Sequence, residues 1–346
     1  MSAATVLICG YGAFGAQHAE AWRALGRHVL VADPDAQARA RAKKDGIEPS
    51  GIAPHIHDLI AHTDIVDIVS SPASHLVLST AAVKAGKPVL LEKPAVRNAQ
   101  EARELLDLQR RSGLAVQVNL LLRAHPMVAA AKTLLDQDAI GSLMVMDGRF
   151  CGWKRQHRAV GLVQNDGVHF LDLMRLFASS AITHIHARSH QFLGQDMVDD
   201  LSLQLTHANG VEGRLALGML APGTGTDAFV PGAQTDKVLQ LVGDQGSLTL
   251  DFNAGQLRHG RVQFDADATT VHVLPGAADT QDFTDVTPLS LLQASMTAFL
   301  ATVETGAPVL VPLEEGALEL ALLSEAIPIA AHRHARACTT VGELVS

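Results

Sequence analysis

The sequence has little of what several classes of protein require. Only 4% of its 346 residues are aromatic, and 27 Lys and Arg are outnumbered by 36 Asp and Glu, giving a formal net charge of −9. Because nucleic-acid binding needs a cationic surface and usually aromatic stacking, this composition disfavours it. The cysteines Cys9, Cys151 and Cys338 lie far apart and match neither a disulfide framework nor a zinc-ligand spacing. We therefore expect a reduced, cytoplasmic setting and no metal site.

Long apolar runs are missing too. No uninterrupted run reaches the about 20 residues of a membrane-spanning helix, and the first five residues lack the basic region of a signal peptide. No membrane association is therefore expected. The apolar fraction of 47% excludes wholesale disorder, and 346 residues predict about two domains at ~150 residues each.

In residues 1–121, short apolar runs alternate with helical patterns. The runs predict strands and the intervening segments predict helices, which is typical of a Rossmann-type, doubly wound parallel sheet with helices on both faces. The predicted strands are Val6–Cys9, Val29–Ala32, Ile65–Val69, Val89–Leu91 and Val116–Asn119.

In residues 122–346 the periodicity changes to two over most of the length. Such segments without intervening helices predict an open, largely antiparallel sheet. They lie between residues 143 and 264, and a helix is expected to interrupt them at residues 165–177. Two further helices are predicted at 289–305 and 313–332. Residues 122–346 are therefore expected to form a C-terminal α/β domain.

Six residues after the first strand match a nucleotide-binding turn: Gly10, Tyr11, Gly12, Ala13, Phe14 and Gly15. The glycines permit a tight turn, close approach of the backbone to a pyrophosphate, and packing of the helix on the strand. A plain structural turn is the alternative. The buried strand before the turn, the helix after it and Asp33, 18 residues past the last glycine, favour a cofactor site.

Asp33 also bears on which dinucleotide binds. A carboxylate accepts hydrogen bonds from both ribose hydroxyls but repels a 2′-phosphate, so NAD is favoured over NADP. The alternative for Asp33 is the cap of a helix with Pro34 at its first position, a role compatible with cofactor binding. Arg39 and Arg41 are expected to be solvated.

Downstream motifs make the sequence resemble one family. Ser71-Pro72-Ala73-Ser74-His75 is followed by Lys84-Ala85-Gly86-Lys87-Pro88 and by Glu92-Lys93-Pro94. Ile140-Gly141, Asp166-Gly167-Val168-His169 with Asp172, and Gly243 with Gly246 match further along. Together they resemble the Gfo/Idh/MocA family, named after glucose–fructose oxidoreductase and inositol dehydrogenase, over nearly the whole chain.

The resemblance implies an N-terminal Rossmann domain and a C-terminal open sheet whose outer face commonly forms a dimer or tetramer. It also implies that Glu92-Lys93-Pro94 lies beside the nicotinamide and that Lys93 contacts the reacting hydroxyl. Beyond the glycine turn and Asp33, the expected cofactor-binding residues are Ser71, Pro72, His75, Glu92, Lys93 and Asn119.

Lys93 and His169 are the predicted catalytic residues. Oxidation of a secondary alcohol leaves a developing alkoxide, which a lysine ammonium stabilises, and an imidazole exchanges protons near neutral pH. A surface lysine after a strand is the alternative for Lys93. On a regular helix Asn165, His169 and Asp172 share one face, so that Asp172 either orients the histidine ring or pairs with Arg175.

The chain departs from its relatives at Asn165, where many of them carry aspartate. Asparagine cannot exchange a proton at neutral pH, so the departure assigns the acid–base chemistry to Lys93 and His169. Asn165 is then expected to bind substrate by hydrogen bonds. Asp166, also assigned to substrate binding, has a favourable place in the first helical turn as its alternative.

A basic segment from Trp153 to Arg158 lies before the predicted catalytic helix. Trp153 is expected to stack on a sugar, and Arg158 to attract an anionic group of the substrate; a solvated loop is the alternative. Arg123 is expected to line the substrate cleft, with a domain-joining turn as its alternative.

These residues predict an NAD-dependent dehydrogenase or reductase of a sugar, sugar derivative or cyclic polyol, active as a homodimer or homotetramer. Two alternatives remain. The same site serves NAD-dependent glycosidases, which regenerate their cofactor within each turnover. A non-catalytic dinucleotide-binding sensor is the other, and the presence of Lys93 and His169 argues against it.

Overall fold

A computed structural model describes residues 4–154, 161–194, 197–228, 232–267 and 269–327, and the backbone of 334–340. Two compact units divide the chain. Unit 1 contains residues 1–124 and 288–321, and unit 2 contains residues 125–287 and 322–346. In the described residues, no helix is long and apolar enough to cross a bilayer.

The first part of unit 1 alternates strands and helices. In chain order these are β1 (Thr5–Cys9), α1 (Ala13–Ala24), β2 (His28–Ala32), α2 (Ala36–Lys44), β3 (Ile52–Ala53), β4 (Ile65–Ile68), α3 (Pro72–Lys84), β5 (Val89–Glu92), α4 (Ala99–Ser112) and β6 (Val116–Asn119). Within these residues the strands form one six-stranded parallel sheet in the order β3-β2-β1-β4-β5-β6. The prediction of a Rossmann-type sheet is confirmed.

Apolar side chains from both faces of this sheet form the core of the unit. Leu7 and Ile8 in β1, Ile65 in β4 and Leu90 in β5 are fully buried. The strand order reverses between β1 and β4, and in open α/β sheets ligands bind where it does, at the carboxyl ends of the strands.

The elements of unit 2 are mostly strands. They are α5 (Pro126–Asp136), β7 (Leu143–Trp153), a π-helical turn (Val163–Gly167), α6 (Val168–Ala178), β8 (Ile182–His190), β9 (Asp200–His207), β10 (Glu212–Gly218), β11 (Gly225–Thr226), β12 (Gln234–Gly243), β13 (Gly246–Asp251), β14 (Gln256–Ala266) and β15 (Val271–Asp282). The sheet is antiparallel except where β7 and β10 pair in parallel. Along β9 and β10, buried and exposed residues alternate, so one face of the sheet is open. The predicted open, largely antiparallel sheet is confirmed.

The last elements are α7 (Pro288–Thr305) and a π-helical segment (Glu314–Glu319), followed by α8 (Leu320–Ala326) and β16 (His334–Thr340). Strand β16 pairs with β8 at one end of the sheet of unit 2. The predicted helix 313–332 is therefore interrupted by π geometry, and its last residues, 328–332, lie outside the described residues.

Candidate active site

In the glycine-rich turn after β1, two of the three glycines lie against backbone atoms that leave no room for a side chain. Gly10 has a φ of +103°, and a Cβ on it would lie 2.8 Å from the backbone of Ser70, just after β4. A Cβ on Gly15 would lie 2.2 Å from the carbonyl oxygen of Gly10. The turn is therefore packed tightly at the switch point between β1 and β4.

Gly12, in contrast, faces open space. A Cβ on it would meet no atom within 4 Å, and Gly12 precedes α1 without a side-chain hydrogen bond to the helix. The first N–H groups of a helix need partners and carry its partial positive charge. Ala13 is exposed and Phe14 is half-buried, so an anion can reach these groups. The turn therefore fits a dinucleotide pyrophosphate.

Asp33 follows β2, and backbone donors fix both oxygens of its carboxylate. Oδ2 accepts the N–H of Tyr11 at 2.6 Å, and Oδ1 accepts the N–H of Asp35 at 2.8 Å. The alternative role as a cap is wrong for Asp33, because α2 begins at Ala36 and its N-cap is Asp35. Pro34 precedes the cap. Since each carboxylate oxygen accepts more than one hydrogen bond, the arrangement still fits two ribose hydroxyls.

The arginines of α2 hold these loops. Arg39 donates to the carbonyl oxygens of Asp33 and Pro34, and Arg41 donates to that of Tyr11. Arg41 is exposed and Arg39 is half-buried, so both side chains remain accessible to solvent while they donate to the backbone. The Tyr11 ring is 1% exposed and its hydroxyl donates to Asp45, so Tyr11 contributes to the turn by its backbone.

The loop after β4 brings Ser71, Pro72 and His75 to the same edge of the sheet. Ser71 is exposed and precedes α3, with Pro72 in the first turn of the helix. The His75 ring is fully buried, and its nitrogens lie 3.0 Å from the carbonyl oxygens of Ser70 and Pro94. Burial lowers the pKa of His75. His75 therefore ties two loops of the site together through their backbones.

Glu92 ends β5 and is 6% exposed. Its Oε2 accepts the N–H of Lys93 at 3.1 Å, and its Oε1 accepts a hydrogen bond from the side-chain amide of Asn119 at the end of β6. Lys93 is half-buried and is joined to Pro94 by a cis peptide. The residues predicted around the nicotinamide thus share hydrogen bonds at the carboxyl ends of two strands.

In unit 2, the predicted catalytic helix begins differently from the expectation. Residues 163–167 form a π-helical turn before α6, so the regular spacing that would put Asn165 and His169 on one face does not apply through it. Asn165 donates to Asp166 at 3.0 Å. Apolar periodicity does not reveal such a turn.

A buried ion pair joins this helix start to the end of β7. Asp166 lies 2.7 Å from the Lys154 ammonium, and their side chains are 5% and 3% exposed. The ammonium lies 4.2 Å from the centroid of the Phe150 ring. The ring of His169 stacks on the same Phe150 ring, with the centroids 6.3 Å apart. The polar groups around His169 are therefore fixed by packing.

A second buried ion pair, which the sequence did not predict, joins Lys237 and Asp227. Lys237 in β12 lies 2.7 Å from Asp227 and 5.0 Å from the Phe150 centroid, and Thr235 donates to the same carboxylate. Burial lowers the pKa of Lys237. Lysine in an alternating strand is normally exposed, so its place in the sequence gave no signal.

The remaining predicted substrate residues differ in their surroundings. Arg123 is 8% exposed and pairs with Glu315 at 2.6 Å in unit 1. Trp153 is 56% exposed, and its indole N–H donates to the carbonyl of Leu220. Arg158 lies outside the described residues.

Among the described residues, no cluster of His, Cys, Asp or Glu is arranged to hold a metal ion.

Two models of one family match the chain. The Gfo/Idh/MocA model for an oxidoreductase family with an NAD-binding Rossmann fold matches residues 4–120, and that for the Gfo/Idh/MocA C-terminal domain matches 128–249. The chain belongs to the Gfo/Idh/MocA family. It is thus an oxidoreductase that binds NAD through unit 1, as predicted.

Relatives agree with this membership. Inositol 2-dehydrogenase 2 of Saccharopolyspora erythraea is 28% identical over 256 residues, 70% of this chain and 72% of the relative. The fold is shared with UDP-N-acetylglucosamine 3-dehydrogenase of Acidithiobacillus ferrooxidans (TM-score 0.77, 19% identity, 94% and 97% of the two chains). It is also shared with levoglucosan dehydrogenase solved with NADH (TM-score 0.79, 18% identity, 94% and 96%).

Proposed function

We propose that this Gfo/Idh/MocA protein is an NAD-dependent dehydrogenase or reductase that transfers a hydride between nicotinamide and a secondary hydroxyl of a sugar, sugar derivative or cyclic polyol. The arrangement of Glu92 and Lys93 carries the proposal. An ammonium follows β5 at the edge of the sheet that holds the glycine turn, and the Glu92 carboxylate fixes its backbone. The substrates named for its relatives, inositol and levoglucosan among them, support the substrate class.

Oxidation of such a hydroxyl moves a hydride from carbon and a proton from oxygen. Bound NAD supplies the hydride acceptor. Lys93 holds the hydroxyl oxygen and stabilises the negative charge that develops on it. His169 accepts the proton as the carbon–oxygen double bond forms, and returns it in the reverse reaction.

Asn165 and Asp166 bind other hydroxyls of the substrate. The Asp166 carboxylate is held in place by the Lys154 ammonium, which lies 2.7 Å from it. The exposed indole of Trp153 offers a stacking surface for a sugar ring. Arg158 attracts an anionic substituent, and Arg123 lines the substrate cleft.

NAD is preferred over NADP. The carboxylate of Asp33 repels a 2′-phosphate, and Arg39, the nearest arginine of α2, already donates to two backbone carbonyls. The protein acts in the cytoplasm as a homodimer or homotetramer formed through the sheet of unit 2. Exposed apolar side chains in β14 and β15 support this surface: Phe264, Val271, Val273 and Leu274.

A melting screen with NAD and without it tests the proposal. The candidates are inositols, sugars, sugar acids and nucleotide sugars, and each hit is then assayed for NADH formation at 340 nm. A substrate raises the melting temperature by mass action and yields NADH. Cleavage of a glycoside without net NADH would contradict the proposal in favour of a glycosidase. Binding of NAD without redox change across the panel would favour a sensor.

A further inference from the structure

A histidine lies buried next to Glu92, the residue that precedes the candidate catalytic lysine. His18 is on α1, three residues after the glycine turn, and is fully buried. Its Nδ1 lies 2.8 Å from Oδ2 of Asp67 in β4, and its Nε2 lies 3.2 Å from Oε1 of Glu92 in β5. The indole N–H of Trp22 also donates to Asp67, at 2.7 Å.

Both ring nitrogens of His18 face carboxylate oxygens, an arrangement that favours the imidazolium form. A neutral imidazole has one N–H and can donate to only one of the two carboxylates. Burial lowers the pKa of His18, but the charges and hydrogen bonds of Asp67 and Glu92 outweigh it and raise the pKa to about 10. His18 is therefore a buried cation between two acids.

Stability alone is a weak reason for such a group. Desolvating buried ions costs about as much as their attraction returns, and apolar residues of similar volume often serve a fold equally well. Asp67 also interrupts the buried apolar strand β4, and Glu92 ends the buried apolar strand β5. A specific arrangement of Glu92 is a better reason, because its carboxylate also accepts the backbone N–H of Lys93.

The network continues beyond Glu92. Asn119 donates to the same Oε1 that faces His18, and the carbonyl oxygen of its amide accepts the hydroxyl of Ser295 in α7 at 2.7 Å. Glu92 thus has its orientation set from three sides: α1, the end of β6 and the N–H of Lys93. His18 is the only one of these partners on the helix that begins at the glycine turn.

We propose that His18 is a positioning residue that couples the glycine-turn helix to Lys93 by orienting the Glu92 carboxylate. The imidazolium holds Oε1, which leaves Oε2 directed at the N–H of Lys93. Loss of the imidazolium leaves Asn119 as the remaining partner of Oε1, so that Glu92 is held less firmly and its hydrogen bond from the Lys93 N–H weakens. The consequence for turnover rests on the proposed function, but the consequence for Lys93 does not.

Hydrogen exchange of the Lys93 amide tests the coupling directly. In His18→Gln we expect this amide to exchange at least 10-fold faster than in the wild type, at a temperature where both are fully folded. His207→Gln is the matched control, because it replaces a buried neutral histidine of unit 2 and should leave the Lys93 amide unchanged. If His18→Gln does not fold, the same measurement is made on the double variant His18→Gln with Asp67→Asn, which removes one charge of each sign.

Two further readouts separate positioning from general damage. NADH affinity, followed by cofactor fluorescence, should stay within about twofold of wild type in His18→Gln, because the glycine turn is intact. With a substrate from the screen, kcat should fall at least 10-fold while His207→Gln keeps its activity. An unchanged Lys93 exchange rate in His18→Gln overturns the proposal. If no compound in the melting screen is a substrate, that result counts against the proposed function. The exchange rate of the Lys93 amide still decides the role of His18.

Discussion

Asp33 places a negative charge at the end of β2, where the N–H groups of Tyr11 and Asp35 fix its two oxygens. A fixed carboxylate distinguishes a ribose hydroxyl from a 2′-phosphate by hydrogen bonding to the first and repelling the second. The discrimination is therefore a property of one charge in one orientation.

Asp33→Asn should weaken that discrimination. The amide keeps the size of the side chain but removes its charge and replaces one acceptor by a donor. We expect the Kd of NADH to rise about 10-fold and the ratio of the NADPH and NADH dissociation constants to approach one, measured by cofactor fluorescence. Asp35→Asn, two residues after Asp33 in the same loop, is the control and should leave both dissociation constants near the wild-type values. A preserved ratio in Asp33→Asn would contradict the assignment.

Single residues were predictable where a short motif gave them a role. Asp33 and Lys93 lie in such motifs, and their roles toward cofactor and substrate stay predictions. Lys154 and Lys237 were not recognised as buried, because burial of a lysine depends on an acid contributed by a distant segment. Asp67 did leave a signal, since it is an acid inside the apolar run of β4.

The glycine turn and α1 work as one element. Two of its glycines are required by close contacts within the protein, whereas Gly12 faces empty space at the start of the helix. The same kind of substitution should therefore have different effects at different glycines.

Gly12→Ala should separate cofactor binding from folding. Its φ of −72° is allowed for alanine and its Cβ meets no protein atom, so the melting temperature should stay within about 2 °C of wild type. The methyl group takes the space of the pyrophosphate, so the Kd of NADH should rise at least 10-fold. Gly15→Ala, whose Cβ would lie 2.2 Å from a carbonyl oxygen, should instead lower the melting temperature strongly. Unchanged NADH affinity in Gly12→Ala would show that the cofactor lies elsewhere.

Among elements, long periodic segments were predictable and short or irregular ones were not. The predicted strands of unit 1 agree with the structure to within about two residues. The two-residue strand β3 was missed, since it is too short to show periodicity. Strand β15 was missed because all its residues are exposed, so no apolar alternation marks it. The π-helical turn before α6 was missed too, because apolar spacing does not distinguish it from a regular helix.

At the scale of the whole molecule, the stability of the fold depends on buried charges. His18 has a folded pKa of about 10, above its ordinary value of 6.5. A raised pKa stabilises the folded state below the unfolded value, and this contribution is lost as the pH rises towards the folded value.

The free energy of unfolding of the wild type should therefore decline between pH 7 and pH 10, by at most about 1.4 kcal/mol per pH unit from this group. His18→Gln lacks this titrating group. The difference in the free energy of unfolding between the wild type and His18→Gln should therefore become smaller from pH 7 to pH 10. Urea denaturation at pH 7, 8, 9 and 10 measures it, and other titrating groups cancel in the comparison. Parallel stability curves would mean that His18 is neutral in the folded protein.

The overall architecture was predictable because the two periodicities divide the chain clearly. Parallel strands buried on both faces give continuous apolar runs, and a sheet with one open face gives alternation. The sequence pattern did not indicate that residues 288–321 belong to unit 1, because a helix has the same apolar spacing whichever unit it packs against.

The central claim is that Lys93 acts on the substrate hydroxyl while NAD is held by other residues. Single-turnover reduction of NAD by a substrate from the screen tests it most directly in Lys93→Met, beside Lys87→Met. Lys87 precedes β5 and lies at the opposite end of the same strand. The account predicts that Lys93→Met slows the reduction at least 100-fold with NADH affinity within about threefold of wild type, and that Lys87→Met changes neither. Equal rates in the two variants, or a loss of NADH binding that matches the loss of rate, would contradict it.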